Sequence, residues 1–91
     1  MNNSINKNNL NLSVTVRDRE GILFQGNAEA VSSFNEKGPF DVLPLHANFI
    51  SLIRNSVVLK IPGSPLKEIP LNSGVLKVKE NKVEVYAGIL R

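Results

Sequence analysis

The chain has 91 residues, no cysteine, 42% apolar and 21% charged residues, and a net charge of +3 from 11 basic and 8 acidic side chains. At this length about 60–65% of the unfolded surface is buried on folding, which allows one small core and excludes a second domain or a large enclosed active site. Disulfide scaffolds and cysteine-ligated zinc or iron–sulfur centres are excluded, and apolar runs of at most three residues fall far short of the roughly 18–20 that span a bilayer as a helix.

Residues 1–9 are polar, rich in Asn and without periodicity, and they lack the apolar stretch of a secretory signal. A disordered tail is expected there, with the folded domain over 10–88 and a short end over 89–91. From Leu10 the pattern changes. Leu10, Leu12, Val14 and Val16 alternate with Asn11, Ser13, Thr15 and Arg17, the period of two that marks a half-buried strand. Residues 20–25 give a short strand closed by Gly26, and 27–34 another that ends in Asn35, Glu36, Lys37 and Gly38. A brief strand over 40–43 stops at Pro44, and 49–53 follows before Asn55 and Ser56 turn into 56–61. Pro62, Gly63, Ser64 and Pro65 form a strong turn signal, since proline presets φ and glycine tolerates positive φ. Residues 66–71 read as a strand that Pro70 confines to an edge or bulge, and the chain closes with 75–79, a tight turn at Asn81, and 83–87.

About nine short strands between regular turn signals, with no helical window of apolar residues, predict a single all-β domain, an antiparallel sandwich or barrel. A cysteine-free chain needs no oxidising compartment, so the expected setting is the cytoplasm.

The basic balance invites a nucleic-acid reading, but the distribution argues against one. Lys77 and Lys79 flank Val78, and Arg17 and Arg19 sit beside Asp18 and Glu20, so the charge is spread over solvated strand faces. With Tyr86 the only tyrosine and no tryptophan, a base-stacking platform would fall to four phenylalanines. No nucleic-acid partner is expected.

Catalytic groups are equally scarce. His46 is the only histidine, so no His–His metal pair exists, and a Ser–His–acid triad would have to recruit a carboxylate from an unrelated strand. Asp18 and Glu20 lie two apart at a strand end, where solvated charge is the usual explanation. The six glycines are dispersed, which leaves no phosphate-binding loop. No catalytic residue, cofactor or metal is expected. More informative are apolar residues on both parities of several strands: Leu23 between Ile22 and Phe24, Val31 after Ala30, Val58 between Val57 and Leu59, and Val75 before Leu76. These are either isolated exposed apolar side chains or a contiguous patch that docks on a partner, and both describe a rigid binding module.

Gly26, Ala28, Glu29, Ala30, Val31 and Ser32, followed by Gly38, Phe40, Val42, Leu43, Pro44, His46, Ala47 and Ile50, resemble the N-terminal domain of the epsilon subunit of F-type ATP synthase. Glu20, Gly21, Phe24 and Gly26 resemble its preceding hairpin, and Gly74, Leu76, Val78, Val83 and Val85 its last two strands. The resemblance covers about 10–87 without gaps across the central loop.

It implies a ten-stranded antiparallel β-sandwich, two roughly five-stranded sheets, at the foot of the central rotor. Such a domain is a noncatalytic subunit that grips gamma, rests on the c ring and so couples ion translocation to ATP synthesis made elsewhere in the complex. Pro44, His46, Ala47 and Ser51 match positions expected near gamma, and Glu36, Lys37, Gly38, Pro39 and Phe40 match a loop expected near the c ring. Membrane association comes only through the complex, which implies a peripheral position on the cytoplasmic face of the cell membrane.

Some positions depart from the family pattern. Asp41 and Leu45 stand where glycine is usual, and neither adopts positive φ as readily, so the loop is expected to differ in shape. Pro39 replaces an acidic residue and removes an amide donor, leaving Glu36 as a substitute contact to the ring. The family's C-terminal helical hairpin, which inhibits ATP hydrolysis and in some members binds ATP, has no counterpart before Arg91. Where that end is the natural one, a subunit without C-terminal autoinhibition is implied. A lone histidine in a Pro-bounded loop is most often a hydrogen-bonding turn residue; the alternative for His46 is an interface contact whose charge responds to pH. The alternative to the rotor reading is a generic β-sandwich interaction or carbohydrate-binding module, against which stands an aromatic content of 5%.

Overall fold

A computed structural model describes residues 11–88 as seven strands: β1 (Leu12–Asp18), β2 (Gly21–Ala28), β3 (Ala30–Asn35), β4 (Gly38–Val42), β5 (Phe49–Lys60), β6 (Lys67–Lys79) and β7 (Lys82–Ala87). The tail expected over 1–9 and the end expected over 89–91 lie outside the described residues. The period-two reading holds where it was clearest. In β1, Leu12, Val14 and Val16 are fully buried while Ser13 and Arg17 face water.

The all-β class holds, with a different sheet arrangement. The strands form one continuous sheet in the order β2-β1-β7-β6-β5-β3-β4, antiparallel throughout except for the parallel pair β1 and β7. Laid flat, its outermost strands would stand about 29 Å apart at about 4.8 Å per step. Yet Leu12, Val14 and Val16 of β1, Ala28 of β2, Val31 of β3 and Val42 of β4 join residues of β5, β6 and β7 in one buried cluster. The sheet therefore folds over on itself and encloses that cluster, giving a sandwich whose layers share two strands.

Those shared strands account for the difference between nine predicted segments and seven observed strands. Residues 49–54 of β5 pair with 73–78 of β6, and 55–59 pair with 67–71, so the segments predicted to be separate are halves of continuous strands. One layer holds β2, β1, β7 and the 73–79 and 49–54 halves; the other holds the 67–71 and 55–60 halves, β3 and β4. The expected turn at Asn55 is instead the corner. Asn55 takes a φ of 75°, and the register jumps from Arg54↔Ser73 to Asn55↔Leu71, leaving Asn72 unmatched. Asparagine tolerates the left-handed region, so it can mark a bulge as readily as a hairpin. The extra residue reverses the inward parity of β6: Ile69 and Leu71 face the core before it, and Gly74, Leu76 and Val78 after it.

Irregularity at the corner frees a backbone carbonyl, and a buried side chain satisfies it. Between Ser32↔Val58 and Phe34↔Arg54 the β3–β5 ladder is interrupted, and there the Ser33 hydroxyl donates to the Ser56 carbonyl at 2.7 Å. Gly74 lies where backbones approach closely: a Cβ at that position would stand 2.6 Å from the Tyr86 carbonyl oxygen of β7. The predicted strand over 27–34 is also redrawn. β2 continues through Gly26 to Ala28, and the break falls at Glu29, whose N–H donates to the Lys60 carbonyl at 2.7 Å.

Candidate docking site

The chain leaves β4 at Val42 and must reverse before β5 begins at Phe49. The His46 N–H donates to the Leu43 carbonyl at 3.1 Å, closing a turn with Pro44 second and Leu45 third, and Leu45 has a φ of 70°. This is the arrangement of a type II turn, whose third position requires positive φ and is usually glycine. Leu45 thus adopts the conformation that glycine takes more readily. Asn81 holds it there: its Oδ1 accepts the Leu45 N–H at 2.6 Å.

Asn81 is well placed to do so. Glu80 and Asn81 form the two-residue turn between β6 and β7, both with positive φ (51° and 64°), as a type I′ hairpin demands. The Asn81 carbonyl also accepts the Ser13 N–H at 2.8 Å, so one asparagine ties β1, the β6–β7 hairpin and the 43–46 turn together. The tight turn at Asn81 was legible in the sequence; its bond to a loop 36 residues away was not.

His46 is half-buried, with Nδ1 2.7 Å from the Ala47 carbonyl, so Nδ1–H is the donor in that contact. Its ring meets Phe49 edge-on at 5.5 Å, and Phe49 meets Phe40 in the same way at 5.5 Å. The structure thus brings a residue of each expected site, His46 and Phe40, onto a common ring. Phe49 was not singled out from the sequence, since an aromatic at the start of a strand carries no signal beyond ordinary core packing.

The loop expected over 36–40 is shorter than its span. Asn35 pairs with Gly38, leaving Glu36 and Lys37 as an exposed two-residue turn. Gly38 has a φ of 113°, and the Asn35 Oδ1 accepts the Lys37 N–H at 2.9 Å. Gly38, Pro39 and Phe40 begin β4, where Pro39 faces solvent and Phe40 packs on the core. Asp41 needs no left-handed backbone, and its carboxylate accepts the Ser32 hydroxyl at 2.6 Å. The Asn35 amide also donates to the Ser51 hydroxyl at 3.1 Å, which fastens this turn to β5.

Pro44 and His46 therefore share one turn with Ala47 directly after it, while Ser51 lies further along the chain in β5, beside the Glu36–Lys37 turn. Of the seven large hydrophobic residues exposed among the described residues, four lie in this stretch of chain and three, Ile22, Leu23 and Leu66, lie elsewhere. Leu43, Leu45, Ile50 and Leu52 are exposed at 55%, 74%, 68% and 63%. Ile50 and Leu52 point outward from β5, and Leu52 lies opposite Val75, which lies opposite Tyr86, so an apolar row crosses three strands. Of the residues flagged for apolar character on both parities, Val75 belongs to this row and Leu23 is exposed on β2, whereas Val31 is core.

Among the described residues no three His, Cys, Asp or Glu side chains gather as a metal site, and each aromatic residue is at least partly covered rather than displayed as a flat platform. Among the described residues the ion pair from Lys60 Nζ to Glu29, at 3.9 Å, is exposed and contributes little. The fold and this surface define a β-sandwich domain that displays exposed apolar side chains beside a turn held by Asn81.

The chain belongs to the family of the ATP synthase delta/epsilon chain β-sandwich domain, whose model matches residues 11–89. The resemblance read from the sequence is thereby borne out. Relatives include an ATP synthase epsilon chain of Nitratiruptor, 35% identical over 72 residues, covering 78% of this chain and 56% of the relative. An epsilon chain of Leptospira borgpetersenii is 31% identical over 74 residues, covering 81% and 58%. The chain therefore spans little more than half the length of these curated relatives. Its fold is shared with a chain in the Euglena gracilis mitochondrial ATP synthase at a TM-score of 0.79 and 14% identity, covering 96% of this chain and 57% of that one. A chain of the Tetrahymena thermophila mitochondrial ATP synthase, from a structure of its central stalk and c ring, matches with a TM-score of 0.69 and 9% identity, covering 84% and 62%.

Proposed function

We propose that this domain is the noncatalytic β-sandwich of a central-stalk subunit of F-type ATP synthase, docking on gamma and the c ring so that ion translocation is coupled to ATP synthesis. The family match over 11–89 carries this reading. The exposed apolar side chains within 43–52 supply a surface suited to it. Such a surface gains by excluding water, and it loses little entropy on binding when a rigid backbone already holds it in place. The bulged, Val-rich sandwich and the Asn81 anchor provide that rigidity.

Pro44, His46, Ala47 and Ser51 are assigned to gamma, and Glu36, Lys37, Gly38, Pro39 and Phe40 to the ring-facing side, with Glu36 at the exposed tip. In the complex the domain sits peripherally on the cytoplasmic face of the cell membrane and meets the membrane only through its partners. Docking is the role assigned to this domain.

Coexpression with the gamma subunit tests the reading. A one-to-one complex that survives size exclusion is the expected outcome, and two chains eluting independently at micromolar concentration would overturn it. For the ring, a Lys37→Cys variant assembled into the complex is expected to cross-link to a c subunit; cross-linking confined to other subunits would remove the ring assignment.

A further inference from the structure

Folding the sheet over leaves four ladder edges: β2 and residues 49–53 of β5 in one layer, β4 and residues 67–71 of β6 in the other. An unprotected edge is a template for another strand, and proteins block it with proline, charge or a bulge. Three edges here are blocked. β2 has a register shift at Leu23, β4 has Pro39 and Asp41, and 67–71 has Lys67, Glu68 and Pro70. The fourth, Phe49, Ile50, Ser51, Leu52 and Ile53, has neither proline nor charge, and among the described residues its backbone pairs only with β6, while the Asn35 amide reaches the Ser51 hydroxyl beside it.

Two further observations describe what that edge receives. A groove of about 500 Å³ runs along it between residues 49–54 and the Asn35–Lys37 turn, and a second depression of about 440 Å³ lies on its other side, against residues 77–79. Lys37 and Arg54 line the groove with Glu36, and Lys77 and Lys79 line the second depression, with Glu84 opposite Lys77 and Glu80 beyond Lys79. The edge is also continuous with the surface assigned to gamma, because Ser51 lies in it and Phe49 carries the His46 ring.

We propose that residues 49–53 accept an added β-strand from the gamma subunit: an extended segment with apolar side chains against Ile50 and Leu52 and acidic ones toward Lys37, Arg54 and the Lys77–Lys79 side. This rests on the gamma-docking reading and names how that docking is made. Backbone hydrogen bonds along the edge supply affinity, and the basic rim selects the partner.

The test uses the full chain with and without coexpressed gamma, read by amide hydrogen exchange. Peptides covering 49–53 are expected to exchange at least about tenfold more slowly in the complex, with the blocked 67–71 edge unchanged. Ile50→Lys, which places a blocking charge on an exposed side chain, is expected to weaken gamma binding about tenfold or more while leaving thermal unfolding unaltered. If gamma binds but exchange at 49–53 is unchanged, or Ile50→Lys binds as the unaltered chain does, the added strand is refuted and the docking reading stands. Absence of any complex with the unaltered chain overturns both. Protection of 49–53 that rises with concentration of the chain alone would make a second copy the occupant and also refute the proposal.

Discussion

Replacing Asn81 probes the link between the β6–β7 hairpin and the docking turn. Its Oδ1 accepts the Leu45 N–H at 2.6 Å, and its own φ is 64°. Alanine loses both the acceptor and the tolerance for left-handed backbone. The lost bond is worth about 1 kcal/mol and the conformational penalty about another 1 kcal/mol, so Asn81→Ala is expected to cost about 2 kcal/mol. For a domain of this size that lowers the melting temperature by about 8–16 °C. Asn81→Gly keeps the backbone freedom and loses chiefly the bond, for a cost of about 1 kcal/mol. Asn81→Asp keeps an acceptor at the same reach and should remain within about 0.5 kcal/mol of the unaltered chain. Urea unfolding followed by circular dichroism reads all three, and exchange of the Leu45 amide should accelerate in the alanine and glycine variants only. An alanine variant as stable as the unaltered chain, or an aspartate variant as costly as alanine, would refute the reasoning.

Leu45→Gly separates stability from docking: it relieves the φ of 70° and should leave stability unchanged or raised by up to about 1 kcal/mol, while loss of a side chain 74% exposed weakens gamma binding in a pull-down titration. Gly74→Ala, whose Cβ would stand 2.6 Å from the Tyr86 carbonyl in the β6–β7 ladder, is expected to cost about 1–3 kcal/mol in urea unfolding. Ser33→Ala removes the donor held 2.7 Å from the Ser56 carbonyl at the buried corner and should cost about 1–3 kcal/mol, read in the same assay.

The strand pattern was legible because burial on one face imposes a period of two, and β1 and β7 keep it strictly. The corner was not. Asn55 and Ser56 carry the same local signal whether the chain reverses or continues through a bulge, and the choice is made by register with β6, a partner distant in sequence. The parallel pairing of β1 with β7 is likewise set by residues about seventy positions apart, beyond any local window. At the site, the sequence marked Pro44 and His46, and it marked Leu45 as a departure from glycine. It did not show how a leucine holds positive φ, since the support comes from Asn81 across the fold. Nor did it mark Phe49 as the ring joining His46 to Phe40.

The most direct test of the central claim is a calorimetric titration of the gamma subunit into this domain at about 0.15 M salt, where exposed charges are largely screened and apolar contact dominates. The account predicts saturable one-to-one binding with a submicromolar Kd and a negative heat-capacity change from covering Leu43, Leu45, Ile50 and Leu52. No saturable heat at tens of micromolar, or a heat-capacity change near zero, would contradict it.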